Sequence, residues 1–561
     1  MLFQKFKMKL WEQELQNNAK KAQKVKDKLD IRDKIKSEDN RFINTDEVFK
    51  RALQFMKDKV FETLTGAGII SNNDPKWTDD IKWVLTVPAI WSERSKFKMQ
   101  QWAQQAGLVN PSIHEHLLIV YEPECASIDV KYNMAQVGER FKAGERYILL
   151  DTGGGTVDIA FHSVNSDGKI DEFHYPDGGP YGSTYVDEEF VKLLNKLFGE
   201  ELMNKFKKKE STKMLTIKKE FIKSKEMFWN NMDIKYDNDS KDDNALDNTQ
   251  FHGIKFSEFD CDIVEELLED KVGSSDDFNE LLEGYLNDHI PNEYKGHIKL
   301  DEDKLLLSHQ LWRKLFDYCI DNIIRIVNEC VRECNDLDNK RIDYICLVGG
   351  FAESKYYRYK MKQSFGKKYR IKIPDTPLLS VVKGAVRRAF NNTVITRCVL
   401  KTYGIAVDRR KDKVLQQPYA KDLIKSGYID ANKKVNNNSY YHPLTKKETV
   451  RNLFSVFVRK NQKIPIDHKI TKTYSRFNER EKKLKICIYQ SDLQNPLTTL
   501  DAEPSGQAII EAEISFPDNY KGNKFKVHWK FGETQISSKA ILDGMEVPLK
   551  FKYRSTKTNK P

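Results

Sequence analysis

The sequence contains no run approaching the roughly eighteen apolar residues that a membrane span requires. Its opening, MLFQKFKMKLWEQ, has no apolar h-region, so no secretory signal is read there, and Glu12 and Glu14 argue against a transit peptide. Metal-ligand cysteine spacing is missing too. Eight cysteines are scattered, at 125, 261, 319, 330, 334, 346, 398 and 487, without a CxxC or HxxxH pattern. The nearest two, Cys330 and Cys334, stand i, i+4 on a helical stretch. A zinc site is not expected, and the pattern fits reduced cytoplasmic or nuclear thiols. The formal charge is +11, and the first sixty residues hold 13 Lys and 3 Arg against 10 acidic residues, a net of +6. Elsewhere lysines alternate with acids and lack the interleaved aromatics of a nucleic-acid groove. Nucleic acid and membrane are therefore not expected partners.

What is present is a chain of 561 residues, too long for one core, with the 39% hydrophobic and 32% charged content of a globular protein. Residues 45–64 carry a Thr/Asp/Glu start signal and then Val48, Leu53, Met56, Val60 and Leu64 on one helical face. The stretch 81–91, IKWVLTVPAIW, reads as a strand running into proline, and Ser92 caps a helix that stops near Gly107. A second strand, 116–124 (HLLIVYEPE), runs on to a glycine-rich hairpin. This alternation is α/β. Residues 186–230 read as helical, 233–250 as an exposed polar loop, 304–334 as one long helix, 342–350 as a strand and 378–390 as a helix. Beyond about residue 396, short alternating runs such as LFSVFVRK and KFKVHWKFG predict a β-rich module, with a polar loop at 431–445.

The chemistry starts at 151–158, DTGGGTVD. Glycines weaken a strand interior, so three in a row need another reason. A turn of glycines lets successive backbone N–H groups converge on an anion such as phosphate. Asp151 and Asp158 would suit a hard cation beside it, and Thr156 adds a hydroxyl. No GK[ST] follows, so this is not a Walker loop. A second glycine turn, 178–187 (GGPYGSTYVD), opens a helix. A third, 347–354 (LVGGFAES), ends a strand, with Ser354 placed to cap the next helix. Ligands in open α/β sheets collect at such carboxyl ends.

The order of VPAIW, YEPE, DTGGGTVD, GGPYGSTYVD, LVGGFAES and VVKGAV resembles the actin-like ATPase domain of actin, hexokinase and the 70-kDa heat-shock proteins. The wording is most similar to the divergent heat-shock 70 kDa protein 12 group. The resemblance implies a two-lobed nucleotide-binding domain over 1–395, incomplete at its N-terminus. A β-rich module over 396–561 would follow, similar to a substrate-binding module without its helical lid. It further implies ATP or ADP with Mg²⁺ as cofactors. Gly153, Gly154, Gly155 and Thr156 would form a phosphate loop, with Asp151 and Asp158 at the metal and Glu122 orienting water. Gly182 and Ser183 would continue the clamp. Gly349, Gly350 and Ser354 would approach the nucleoside, and Glu220 with Lys223 would grip ribose and adenine.

Departures from the family pattern limit these roles. No Asp-x-Gly-Thr-Thr loop precedes Asp151, and LFQKFKMKL resembles an internal segment of the family, in which Lys5 or Lys7 matches a phosphate-contacting lysine. The expectation is that Met1 is not a natural domain start. An aspartate typical of the family is absent near Leu378. Three readings follow: an ATP-binding, chaperone-type protein with weak or no hydrolysis that meets client proteins through the β-rich module; a pseudo-ATPase scaffold; or a sugar or metabolite kinase of the same superfamily.

Overall fold

The computed structural model describes residues 6–7, 34–36, 41–71, 77–110, 116–231, 250–273, 275, 277–338, 340–391, 393–430, 436–443, 445–476, 480–502 and 506–553. At its centre is a seven-stranded mixed sheet. Its order is Arg370–Lys372, Tyr344–Val348, Arg146–Thr152, Val157–Val164, Ile170–Gly179, Val394–Cys398 and Lys463–Pro465. Arg146–Thr152 is buried along its whole length, as expected of a strand covered on both faces. Helix His309–Asp338 lies against this sheet with Leu311, Leu315, Cys319, Ile323, Val327, Cys330 and Cys334 all buried, the stripe that the sequence predicts.

A second, smaller unit pairs Trp83–Val87 in parallel with Leu117–Tyr121. Helices Thr45–Gly66 and Glu93–Gln105 pack beside it, with Phe49 stacked on Trp102 at 4.3 Å. Ser92 caps the second of these helices by accepting from Ser95 N at 3.3 Å, as the sequence indicates. A three-stranded antiparallel sheet in the order Phe251–Lys255, Lys304–Ser308 and Ile298–Asp301, with the last strand in sequence at its centre, completes the α/β part.

The later residues form two antiparallel sheets, of six and four strands, that face each other across Ile488, Ile510, Ile514, Val527, Trp529 and Leu542. This is a β-sandwich. Strand Val394–Cys398 belongs to the central sheet, where it runs parallel to Ile170–Gly179 and takes Lys463–Pro465 from the later part of the chain on its other edge.

Four sequence expectations need correction. The stretch after YEPE is not a direct path to the hairpin but a helix, Glu122–Gln136. It is buried nearly all round, from Pro123 to Val130, so it has little amphipathic period to read. The expected helix 304–334 begins only at His309, because Lys304–Ser308 pairs as a central strand; a short run of leucines does not separate the two states. Residues 186–230 break into Thr184–Phe198, Glu200–Lys209 and Ser211–Asn231, the first break at Gly199 with φ 82°. Within 431–445, Ser439–Tyr441 is a strand on Glu448–Val458. Residues 436–438, 442, 443 and 445 are turn or irregular backbone beside it, while 431–435, 444 and nearly all of the loop expected at 233–250 fall outside the described residues.

Candidate functional site

The three glycine turns meet. Strands Arg146–Thr152 and Val157–Val164 form a hairpin whose register sets Asp151 directly opposite Asp158, so both carboxylates project on one face. Between them, Gly153 N donates to Thr156 O at 3.0 Å and closes the turn. The carbonyls of this turn are spoken for. Ser183 N donates to Gly153 O at 3.0 Å, Thr184 N to Gly154 O at 2.9 Å and Gly182 N to Gly155 O at 3.3 Å. Thr184 Oγ1 adds a second bond to Gly154 O at 2.7 Å. The first glycine loop thus satisfies the orphan N–H groups that open helix Thr184–Phe198. The N–H groups of Gly154, Gly155 and Thr156 donate to no described backbone oxygen. Successive unused donors in a turn are what an anion nest requires.

Two glycines are required by contact. A Cβ on Gly182 would stand 2.3 Å from Gly154 O and 2.6 Å from Gly155 N. Gly349 has φ 86°, and a Cβ there would lie 2.5 Å from Thr152 O and 2.6 Å from Asp151 Oδ1. The second and third turns therefore press directly on the first. Gly350 opens a 3₁₀ turn, with Leu378 Cδ1 3.3 Å from where its Cβ would be, and Leu378 itself is exposed. Ser354 is fully buried and caps helix Lys355–Phe365, accepting from Tyr357 N at 3.2 Å.

Glu122 is the first residue of its helix, at the carboxyl end of Leu117–Tyr121. Its carboxylate accepts from Lys7 Nζ at 2.6 Å. Phe6 fixes that lysine by setting its ring edge-on against Phe49 at 5.0 Å. Of the two lysines that the sequence leaves open, Lys7 reaches the carboxylates and Lys5 lies outside the described residues.

Burial pushes the Asp151 carboxyl up to about 7, with the negative charge of Glu122 adding to the rise and Lys7 opposing it. Burial raises Asp158 well above its ordinary value as well, helped by Glu122 and Asp151 and opposed by a hydrogen bond from Thr156 and by Lys7. Lys7 responds in the opposite sense. Desolvation alone would lower it, but Glu122, then Asp158 and Asp151, hold its ammonium above the ordinary value. Asp158 Oδ1 is buried and has no partner among the described residues. Such an atom costs free energy unless a cation or donor meets it.

Glu220 and Lys223 pair with each other at 2.7 Å, and the lysine side chain is 63% exposed. Their helix meets the site through another residue. Lys225 is buried, donates to Ser183 O at 3.2 Å and pairs with Asp187 Oδ1. Sequence reading missed Lys225 and Thr184; the second lysine of KSK was the available signal for the former. Among the described residues no group of three His, Cys, Asp or Glu is arranged to hold a metal ion by itself. The paired Asp151 and Asp158, beside loop N–H groups that donate to no described backbone oxygen, could meet an anion together with a cation held partly through water.

No protein-family model matches the chain. It is 25% identical over 549 residues to heat shock 70 kDa protein 12A of Homo sapiens, covering 88% of this chain and 73% of that protein. The Mus musculus protein of the same name is 25% identical over 558 residues, with the same coverage. Heat shock 70 kDa protein 12B of Homo sapiens is 24% identical over 556 residues, again 88% and 73%. Along most of its length the chain is therefore similar to the heat shock 70 kDa protein 12 branch, the likeness its motifs carry.

Proposed function

We propose that the chain binds ATP or ADP with Mg²⁺ where its three glycine turns meet, and that it is a heat-shock-70-like protein with slow hydrolysis. The observation that carries this reading is Asp158 Oδ1, which is buried and has no partner among the described residues, beside a loop whose carbonyls are capped and whose N–H groups donate to no described backbone oxygen. The loop N–H groups would hold phosphate oxygens. Asp151 and Asp158 fit the cation, directly or through water, since hard cations take carboxylate oxygens. When bound, Mg²⁺ supplies neutralisation of phosphate charge. Glu122 would orient a water, and Lys7 would place its ammonium toward the terminal phosphate. Gly350 and Leu378 would border the nucleoside, and the β-rich part over 396–561 would meet partner or client proteins. Calorimetry with ADP and ATP in the presence of Mg²⁺ tests the proposal, and absence of binding to the full chain sinks it.

A second reading, the pseudo-ATPase scaffold, has one observation in its favour. Glu122 already spends an oxygen on Lys7 at 2.6 Å. A carboxylate neutralised in this way is a poorer partner for water. Nucleotide binding without turnover would favour that reading.

A further inference from the structure

The four-stranded sheet of the sandwich turns an unusual face to solvent. In strand Lys469–Ser475, alternate residues from Lys469 to Ser475 are exposed. In its neighbour Lys524–Lys530, Phe525, Val527 and Trp529 enter the core, so Lys524, Lys526, His528 and Lys530 point outward. Lys539 extends the face on the third strand. The register sets Lys469 directly opposite Lys530, and Thr473 and Ser475 opposite Lys526 and Lys524. Like charges placed directly opposite destabilise a sheet.

Part of this charge is compensated. Lys530 pairs with Glu533 at 3.3 Å and Lys539 with Glu546 at 2.7 Å. Among the described residues, Lys469, Lys524 and Lys526 make no ion pair. The outer face of the six-stranded sheet is built differently. There Lys483 pairs with Glu513 at 2.8 Å and Lys485 with Glu511 at 3.5 Å. Lys550 and Lys552 lie opposite the same two glutamates. Lysines of that sheet each face a glutamate, whereas on the four-stranded face Glu546, already paired with Lys539, also acts on Lys469, and Lys524 and Lys526 pair with no described acid.

We propose that this face docks on an anionic lipid bilayer. In strand Lys524–Lys530 alternate residues repeat at about 6.7 Å and place ammoniums at 524, 526 and 530, with Lys469 and Lys539 on the flanking strands about 4.8 Å away. Hydroxyls of Thr471, Thr473 and Ser475 lie among them and suit headgroup oxygens. Among the described residues, the outward positions of these strands hold the His528 imidazole but no Phe, Tyr or Trp on which a single-stranded nucleic acid would stack. They are lysines and hydroxyls with Ile541 and Glu546, and they offer no series of apolar side chains to fix the register of a peptide. Mobile headgroups require neither, and polybasic surfaces gain attraction lysine by lysine.

The test is co-sedimentation of the full chain with vesicles of phosphatidylcholine, alone or with about 30% phosphatidylserine. Binding to the anionic vesicles alone is expected, and about 0.5 M salt should abolish it. Combining Lys469→Gln, Lys524→Gln and Lys526→Gln should lower partitioning roughly a hundredfold. The corresponding Glu variant, which also adds negative charge, should lose a larger factor, and Lys483→Glu with Lys485→Glu on the other sheet should change little. No binding to anionic vesicles overturns the proposal. So does an equal loss from the two faces, or displacement of vesicles by an RNA homopolymer or a poly-glutamate peptide at lower concentration.

Discussion

Arg397 closes a two-bonded ion pair on Glu124, at 2.5 and 2.8 Å, two residues beyond Glu122 in the helix that the site shares. The same guanidinium donates to Gly532 O at 2.9 Å and Thr534 Oγ1 at 3.4 Å, in the loop between the strands Lys524–Lys530 and Ser537–Leu542 of the sandwich. Glu93 adds a second tie by accepting from Ile536 N at 3.1 Å. The site helix and the sandwich thus share one buried cation.

Both partners are at least nine-tenths buried, so removing one strands the other in low dielectric. Glu124→Gln or Arg397→Met should cost about 3–5 kcal/mol. Amide exchange should quicken over 532–536 and at the start of helix Glu122–Gln136. An unchanged melting midpoint, or faster exchange on one side alone, would show that the pair does not tie the two parts together.

The glycine contacts separate binding from folding. A Cβ at Gly154 meets only Thr184 Cγ2, at 3.4 Å, on an exposed turn. Gly154→Val should keep the melting temperature near that of the parent and abolish nucleotide binding seen by calorimetry. Gly182→Ala drives its methyl into the backbone of Gly154 and should lose both, with about 1–3 kcal/mol of stability gone. Equal stability loss in the two variants would contradict the geometry.

Titration of buried carboxyls makes the fold sensitive to alkali in a narrow window. Asp151 is pushed from 3.8 to about 7, and Glu172, buried near Glu124 and Arg397, from 4.5 to about 8. The folded state therefore holds protons that the unfolded chain has already released, and stability should fall as pH rises from about 5 to 8. Glu172→Gln should flatten this profile. Mg²⁺ competes with the proton at Asp151, so it should raise the melting temperature more at pH 8 than at pH 6, and Asp151→Asn should erase that difference. A magnesium effect independent of pH would refute the assignment.

Turnover should be slow in the parent chain. Glu122→Ala should remove whatever phosphate release single-turnover assays detect. Lys7→Ala should weaken binding of ATP more than of ADP, if its ammonium faces the terminal phosphate. Brisk steady-state release by the parent, or equal loss for the two nucleotides, would overturn these roles.

Much of this was legible because its cause is local. Three glycines between strand residues, Ser92 and Ser354 before helices, and the stripe Leu311 to Cys334 each state their geometry in neighbouring letters. The helix Glu122–Gln136 was not legible, since its stretch from Pro123 to Val130 is buried on every side and loses its polar period. Lys225 and Arg397 were missed because their partners lie 38 and 273 residues away, and in a Lys-rich sequence the KSK lysine was only a weak mark of a buried cation. The pairing of Lys7 with Glu122, 115 residues apart, was not foreseen; the family likeness offered Lys5 or Lys7 as a phosphate contact and Glu122 as a water-orienting residue, each separately.

The glycine loop that would hold phosphate is also the N-terminal cap of helix Thr184–Phe198, through three backbone bonds and one hydroxyl. Loop and helix therefore cannot loosen separately. Fraying of the first helical turn would free the loop carbonyls, and a shift of the loop would expose amides at Ser183 and Thr184. The opening free energy of those amides should rise with ligand by the same increment that binding adds to the loop. An anion seated at residues 153–156 would be felt along a fifteen-residue rod as a change in how often its first turn opens.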